Sequence, residues 1–279
     1  MPTGGLRFPA FEAGWVWLAG AGPGDPGLLT LHGAHALASA DVIVHDALVG
    51  DGILALARPE AEIEYAGKRG GKPSPKQRDI SARLIALAGE GKRVLRLKGG
   101  DPFMFGRGGE EALALVEAGV SFRVIPGVTA GIGGLGYAGI PATHRDVNQA
   151  VTFITGHTAH GDVPDGLDWE ALGRGSPVIV LYMAMKHLGR IADQLLASGR
   201  AADEAVAIIS RATTPDQRVL ETTLGEADRA ARKAGMEAPS VIVIGQAVRL
   251  RAGLDWQGAA RGRTLDPDPL KRLVSALAI

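Results

Sequence analysis

Trp15 to Thr30 read WVWLAGAGPGDPGLLT: a short aromatic and β-branched run, a glycine-rich turn, and then the start of an alanine- and leucine-rich stretch. Strand, tight loop and helix in that order form the opening unit of a nucleotide-type α/β sheet, whose ligand sits at the carboxyl ends of the strands. The chemistry of this loop does not suit a phosphate. A Gly-x-Gly-x-x-Gly reading that starts at Gly20 and Gly22 finds Asp25 where the third glycine belongs. Pro23 and Pro26 also lack the N–H groups that hold pyrophosphate oxygens. The geometry is that of a nucleotide loop without its phosphate chemistry.

Working outward, similar short runs recur between helical segments. DVIVH at Asp41, AEIEYA at Ala61, RVLRLK at Arg93 and SFRVI at Ser121 follow in the first half. AVTFIT at Ala150, SPVIVLY at Ser176, AVAIIS at Ala205, VLETTL at Val219 and SVIVIG at Ser240 fill the second. Alternation of this kind predicts mainly parallel sheets with crossover helices, hence two α/β domains, each around a roughly five-stranded sheet. The expected boundaries are 15–145 for the first domain and 146–250 for the second. The glycine-rich AGIGGLGYAGIPATHRD from Ala130 to Asp146 ends the one and leads into the other. A tail, 251–279, carries a short helix in which Leu270, Leu273, Val274 and Leu277 share a face, suited to docking.

Composition narrows the function. Thirty basic and thirty acidic residues cancel, which argues against bulk nucleic-acid or membrane-surface binding. With no cysteine there are no disulfides, thiolate nucleophiles or zinc–thiolate sites, and no His-Glu-x-x-His spacing is found. No metal is expected. The start of the chain lacks a secretory pattern, and the apolar run VIVLYMAM at Val178 is far short of the roughly 20 residues of a membrane helix. A soluble, cytoplasmic protein is the expectation.

The loops that follow the first five strands are GAGPGDPG, HDALV, GKRGG, GGDPFMFGRGGEE and PGVTAG. They combine close backbone approach through glycine with acids at Asp25, Asp46 and Asp101 and bases at Lys68, Arg69 and Arg107. GGDPFMFGRGGEEA is the most specific of them. Asp101 can receive hydroxyl or ammonium donors there, and Glu110 and Glu111 fall in the first turn of a helix, where the dipole favours carboxylates.

Taken with YAGIPATHR, TGH and YMAMK, these stretches resemble the tetrapyrrole methylases, with motifs in family order from about Trp15 to Leu250. The resemblance implies two α/β domains of a homodimer with S-adenosylmethionine bound between them, S-adenosylhomocysteine being the product. A sulfonium donor without phosphate explains why the opening loop needs no phosphate cradle. The substrate implied is uroporphyrinogen III, methylated at two pyrrole carbons to precorrin-2 for cobalamin, sirohaem or haem d1. Neither a metal nor a covalent enzyme intermediate is needed. His45 and Ala212 stand where many family members carry tyrosine and glycine.

Carried over position by position, the donor site comprises Pro23, Gly99, Gly100, Asp101, Met104, Thr129, Ala130, Met183 and Ala212. The substrate, with eight carboxylates, falls to Arg107, Glu110, Arg145 and Met183, with Lys68, Arg69 and His144 adding charge at the rim. The catalytic candidates are Asp46 as base, Lys68 as proton donor and Arg107 as carboxylate clamp; arginine stays protonated and is a poor base. The length leaves no room for an added dehydrogenase and chelatase. Rival readings are a methylase of a later corrin precursor, of a protein residue or of ribosomal RNA; an NAD-dependent dehydrogenase using Asp46 on the ribose; and a tetrapyrrole carrier without a donor pocket.

Overall fold

The computed structural model describes residues 6–67, 77–157 and 162–271. The chain divides into two compact units, Met1–Thr129 and Ala130–Ile279.

In the first unit, β1 (Val16–Gly20), β2 (Val42–His45), β3 (Glu62–Tyr65), β4 (Val94–Lys98) and β5 (Phe122–Ile125) pair in the order β3-β2-β4-β1-β5. Every pairing is parallel. The helices are α1 (Leu31–Ser39), α2 (Asp51–Leu54), α3 (Gln77–Gly89) and α4 (Gly108–Glu117). β1, β2 and β4 are buried on both faces, as a covered parallel sheet requires. β3 reads Glu-Ile-Glu-Tyr and is half-exposed, so its charges blunt the sheet edge. Period-two alternation sorts the side chains. Trp17, Ala19, Ile43, Leu95 and Leu97 pack with Ala36 and Leu37 of α1, whereas Val16, Leu18, Val42, Val44 and Val94 pack with Leu84 and Leu87 of α3 and Leu115 of α4. Each such aliphatic side chain contributes about 1.5–3 kcal/mol when fully buried. Arg96 and Lys98 share the alternation of Val94, and that places them on the α3/α4 face.

The second unit has β6 (Thr152–Thr155), β7 (Ile179–Tyr182), β8 (Ala205–Ser210), β9 (Arg218–Thr223) and β10 (Ser240–Ile244), in the order β6-β7-β10-β8-β9. All ten predicted strands are present. The expectation of mainly parallel pairing fails in this sheet: β6 and β7 are parallel, and the pairs β7/β10, β10/β8 and β8/β9 are antiparallel. The connection 211–217 between β8 and β9 is too short for a crossover and allows only an antiparallel return. Helices α5 (Ala130–Tyr137), α6 (Trp169–Gly175), α7 (Leu188–Ala197), α8 (Ala227–Lys233), α9 (Arg251–Leu254) and α10 (Trp256–Ala259) complete the unit.

Two expected boundaries move. The glycine-rich segment assigned to the first domain begins with α5, whose Leu135 packs with Val180, Ile209 and Val243 of the second sheet. Gly131 N donates to Tyr182 Oη at 2.6 Å. A Cβ on Gly134 would lie 2.9 Å from Ala212 Cβ, so small residues are what let the helix sit this close. The segment expected as a separate tail is, as far as residue 271, part of the second unit. Buried Arg251 donates to Ala138 O and to Glu221 at 3.0 Å and pairs with Asp255 at 2.7 Å. Trp256 Nε1 donates to Gly136 O at 3.0 Å. Most of the helix expected around Leu270 to Leu277 lies outside the described residues.

Candidate functional site

The loop after β1 is closed by its own groups. Ala21 N donates to Lys98 O and Gly22 N to Gly100 O, while Leu28 N and Leu29 N donate to Asp25 O and Pro26 O. The Asp25 carboxylate caps the short turn Pro26–Leu28 by accepting from Gly27 N at 2.7 Å. With these amides engaged and two prolines beside them, the loop offers no nest for a phosphate.

Three strand-end glycines draw the loops together. A Cβ on Gly20 would lie 2.6 Å from Gly127 Cα, and both glycines abut the Gly100 carbonyl. Gly22 and Gly100 exchange backbone hydrogen bonds of 3.1 and 2.7 Å. Asp101 ties this contact down, accepting from Phe103 N at 2.8 Å and from Gly127 N at 2.9 Å. Each oxygen holds one backbone N–H, which fixes the shape of the β4 and β5 loops and leaves each oxygen a second lone pair for the ligand donors expected there. Gly99 has a similar reason, since a Cβ would meet Leu48 Cβ at 2.7 Å.

Beyond Asp101 the β4 loop is strained. Phe105 and Arg107 have φ of 53° and 59°, in the left-handed region that side chains with a Cβ avoid. Arg107 occupies the cap position of α4 and forms a two-pronged pair with Glu110, at 2.9 and 2.6 Å. That pairing raises the Arg107 pKa and lowers that of Glu110. Both lie exposed at a groove of about 610 Å³ between α3 and α4, with Gln77, Ser81 and Ala114 along its walls. Backbone strain of this kind clusters at functional sites.

Asp46, at the end of β2, is not a helix cap. Its carboxylate pairs with Arg96 Nη2 and stands 3.7 Å from Lys98 Nζ. Sequence reasoning missed these two cations because RVLRLK scans as an ordinary strand. A signal was present: charges two apart in a strand otherwise buried on both faces demand counter-ions. Their side chains are 2% exposed, and the fully buried Glu111 accepts from Arg96 Nε at 3.0 Å and from Lys98 Nζ at 3.1 Å. Gln77 Nε2 adds a third bond to the same oxygen at 2.8 Å. Burial, then the neighbouring Arg96 charge, depresses the Lys98 pKa, while Asp46 and Glu111 act against that. Lys68, expected beside Asp46, lies outside the described residues, as does Arg69.

In the second unit the strand ends carry small and strained residues. Met183 after β7, and Arg211 and Thr213 after β8, have φ of 53°, 48° and 65° and flank the expected positions Met183 and Ala212. Gly156 N donates to Tyr182 O at 2.6 Å, and a Cβ on Gly156 would lie 2.5 Å from Ala184 Cβ. Met183 is half-exposed, whereas Ala212 is buried against α5. Ala130 opens α5. Arg145 is exposed at the tip of a turn closed by hydrogen bonds between the backbones of His144 and Asn148. Asn148, also missed, is buried and braces that turn by donating to Ala142 O and Ala150 O at 2.8 and 3.2 Å.

The structure thus gathers Pro23, Asp46, Gly99, Gly100, Asp101, Met104, Arg107, Glu110 and Thr129 into the first unit, and Ala130, Arg145, Met183 and Ala212 into the second. Among the described residues no cluster of three histidine, aspartate or glutamate side chains could hold a metal, and no helix is long and apolar enough to cross a membrane.

Residues 16–228 match the family described as Tetrapyrrole (Corrin/Porphyrin) Methylases. A uroporphyrinogen-III C-methyltransferase of Sinorhizobium sp is 66% identical over 261 residues, which cover 94% of this chain and 93% of that one. A siroheme synthase of Sodalis glossinidius is 49% identical over 88% of this chain, which spans only 52% of that relative. Among solved structures, a Thermus thermophilus uroporphyrin-III C-methyl transferase complexed with S-adenyl homocysteine is 38% identical. It superposes with a TM-score of 0.74 over 84% of this chain and 99% of its own.

Proposed function

The chain belongs to the tetrapyrrole methylases, and on that premise we propose that it moves methyl groups from S-adenosylmethionine to two pyrrole carbons of uroporphyrinogen III, giving precorrin-2. The observation that carries the donor reading is the β1 loop, whose Ala21, Gly22, Gly27, Leu28 and Leu29 amides are engaged by the protein itself and whose Asp25 is a turn cap. Such a loop suits a phosphate-free adenosyl donor and argues against a dinucleotide. When bound, S-adenosylmethionine supplies a methyl group activated on a sulfonium.

The remaining work falls to side chains. The electron-rich ring is its own nucleophile, so the protein has to orient it and accept the proton that leaves. Asp46 is the base in this reading, its carboxylate held by Arg96 and Lys98. Lys68 supplies or steers a proton. Arg107 offers the donors not held by Glu110 to a substrate carboxylate, and Arg145 with Glu110 helps to orient the ring. Pro23, Gly99, Gly100, Met104, Thr129, Ala130, Met183 and Ala212 shape the donor site, with Asp101 fixing the backbone among them. The protein works as a cytoplasmic homodimer, without nucleic acid, membrane or metal.

Calorimetry with S-adenosylhomocysteine and with NAD is the direct test. Micromolar or tighter binding of the first and none of the second is expected; comparable affinity for NAD would overturn the reading. With limiting donor, a monomethylated intermediate should accumulate.

A further inference from the structure

We propose that Lys98 and Glu111 are positioning residues for Asp46, with the buried ammonium, neutralised from behind by Glu111, holding the Asp46 carboxylate in place and ionised. The inference rests on the reading of Asp46 as the base.

The geometry is layered. Asp46 is the partly exposed member, with its side chain 32% exposed, and it faces Arg96 Nη2 through one oxygen and Lys98 Nζ through the other. Behind them, Glu111 Oε1 collects Arg96 Nε, Lys98 Nζ and Gln77 Nε2 within 3.1 Å. Its Oε2 is buried with no hydrogen-bond partner among the described residues. Two cations and two acids therefore balance, and of the four only Asp46 is open to water. Burying an ammonium and a guanidinium side by side is costly unless anions lie against both. A purely structural strand would carry an aliphatic residue at the Arg96 position, as its neighbours do with Leu18 and Val44. The one feature the arrangement adds is a fixed positive field directed at the exposed carboxylate. A cation at this distance favours the ionised acid, and Glu111 sets how strong that field is.

Burial depresses the Lys98 pKa, and Asp46 and Glu111 act against that. Among the described residues, the charged and titratable groups facing Asp46 are Arg96 and Lys98 of β4, with Glu111 of α4 behind them. Alongside, His45 of β2 has its Nδ1 3.0 Å from Asp46 O and packs edge-on against Tyr65 of β3.

The test is the pH dependence of kcat for methyl transfer to uroporphyrinogen III, measured on the full chain, with calorimetric affinity for S-adenosylhomocysteine as the check on folding. Removing the cation in Lys98→Met should move the acid limb up by about one pH unit, leaving donor affinity unchanged. Lys98→Arg should restore the limb. Glu111→Gln, which strengthens the net positive field, should move it the opposite way, so the pair of variants stays informative if one fails to fold. An acid limb unmoved in either folded variant overturns the inference, as does a loss of turnover equal at all pH values. Asp46→Asn separates the two readings. If it turns over normally, the base assignment falls and takes the inference with it. If it is inactive while the Lys98→Met limb stays put, the inference falls alone.

Discussion

At the carboxyl end of β4 in the first unit, Arg96, Lys98 and Glu111 are packed away from water with Asp46 on top of them; at the ends of β7 and β8 in the second, the chain presents Met183, Ala184 and Ala212. Both sheets have five strands, and both place left-handed residues in these loops. They differ in what the loops carry. Fixed charge at low dielectric suits a site where protons and carboxylates are handled, because fields there are weakly screened. Small side chains on a strained backbone suit recognition by shape. On the proposed reading, the buried charge of the first unit serves the proton step, and the small, strained residues of the second help the first unit's glycine loops to shape the donor site.

The strongest way to break that division is Asp46→Asn. Turnover should fall by about 10²–10⁴-fold with affinity for S-adenosylhomocysteine preserved, the usual effect of losing a general base. A parallel loss of donor binding would show that Asp46 also serves the donor. Next is Gly127→Ala, which forces a methyl group against the Gly20 and Gly100 backbone. Denaturant unfolding should show a loss of about 3 kcal/mol, the upper end of overpacking costs, because backbone cannot swing aside. Gly156→Ala sharpens the contrast from the other side by pushing on Ala184 beside Met183. A weakening of S-adenosylhomocysteine binding by about tenfold, or about 1.4 kcal/mol, is expected with the pH limbs of kcat in place. A shifted limb would mean that the second unit also tunes the proton step.

The smallest effect concerns Asp41, far from the site chemistry, whose side-chain bond with Arg93 holds its carboxyl well below the usual range, helped by the Arg93 backbone N–H and by Arg58. Because the folded pKa is depressed, this stabilisation is complete above the unfolded value and is lost as pH falls below about 4. Asp41→Asn should cost about 1 kcal/mol at neutral pH and flatten the acid side of the stability profile. An unchanged profile would show that the triad does not stabilise the fold.

The strands were legible because short apolar runs between helical periods leave few alternatives. Their directions in the second sheet were not: whether β10 runs with or against β8 depends on loop lengths summed over the whole unit. The glycines of the β1, β4 and β5 loops were readable as close approaches, but that they approach one another, with Asp101 clamping Gly127 across 26 residues, is a three-dimensional fact. Arg96 and Lys98 were hidden for a related reason. A strand pattern tells which face a side chain takes, and only the packed helix shows that the face is dry. The division between the units was misplaced by a helix of small residues, whose partner surface is set by space and not by polarity.

One consequence of the buried cluster lies in the order of assembly. Arg96 reaches Glu111 across 15 residues, within a single strand-and-helix unit, but reaches Asp46 across 50. β4 and α4 can therefore meet early and carry their own counter-ion, so a doubly charged strand enters the centre of the first sheet already half neutralised. Only the last charge, that of Asp46, waits for the distant strand. The candidate base is thus completed when β2 pairs with β4, a closure of shorter range than the pairings of β1 with β4 and β5.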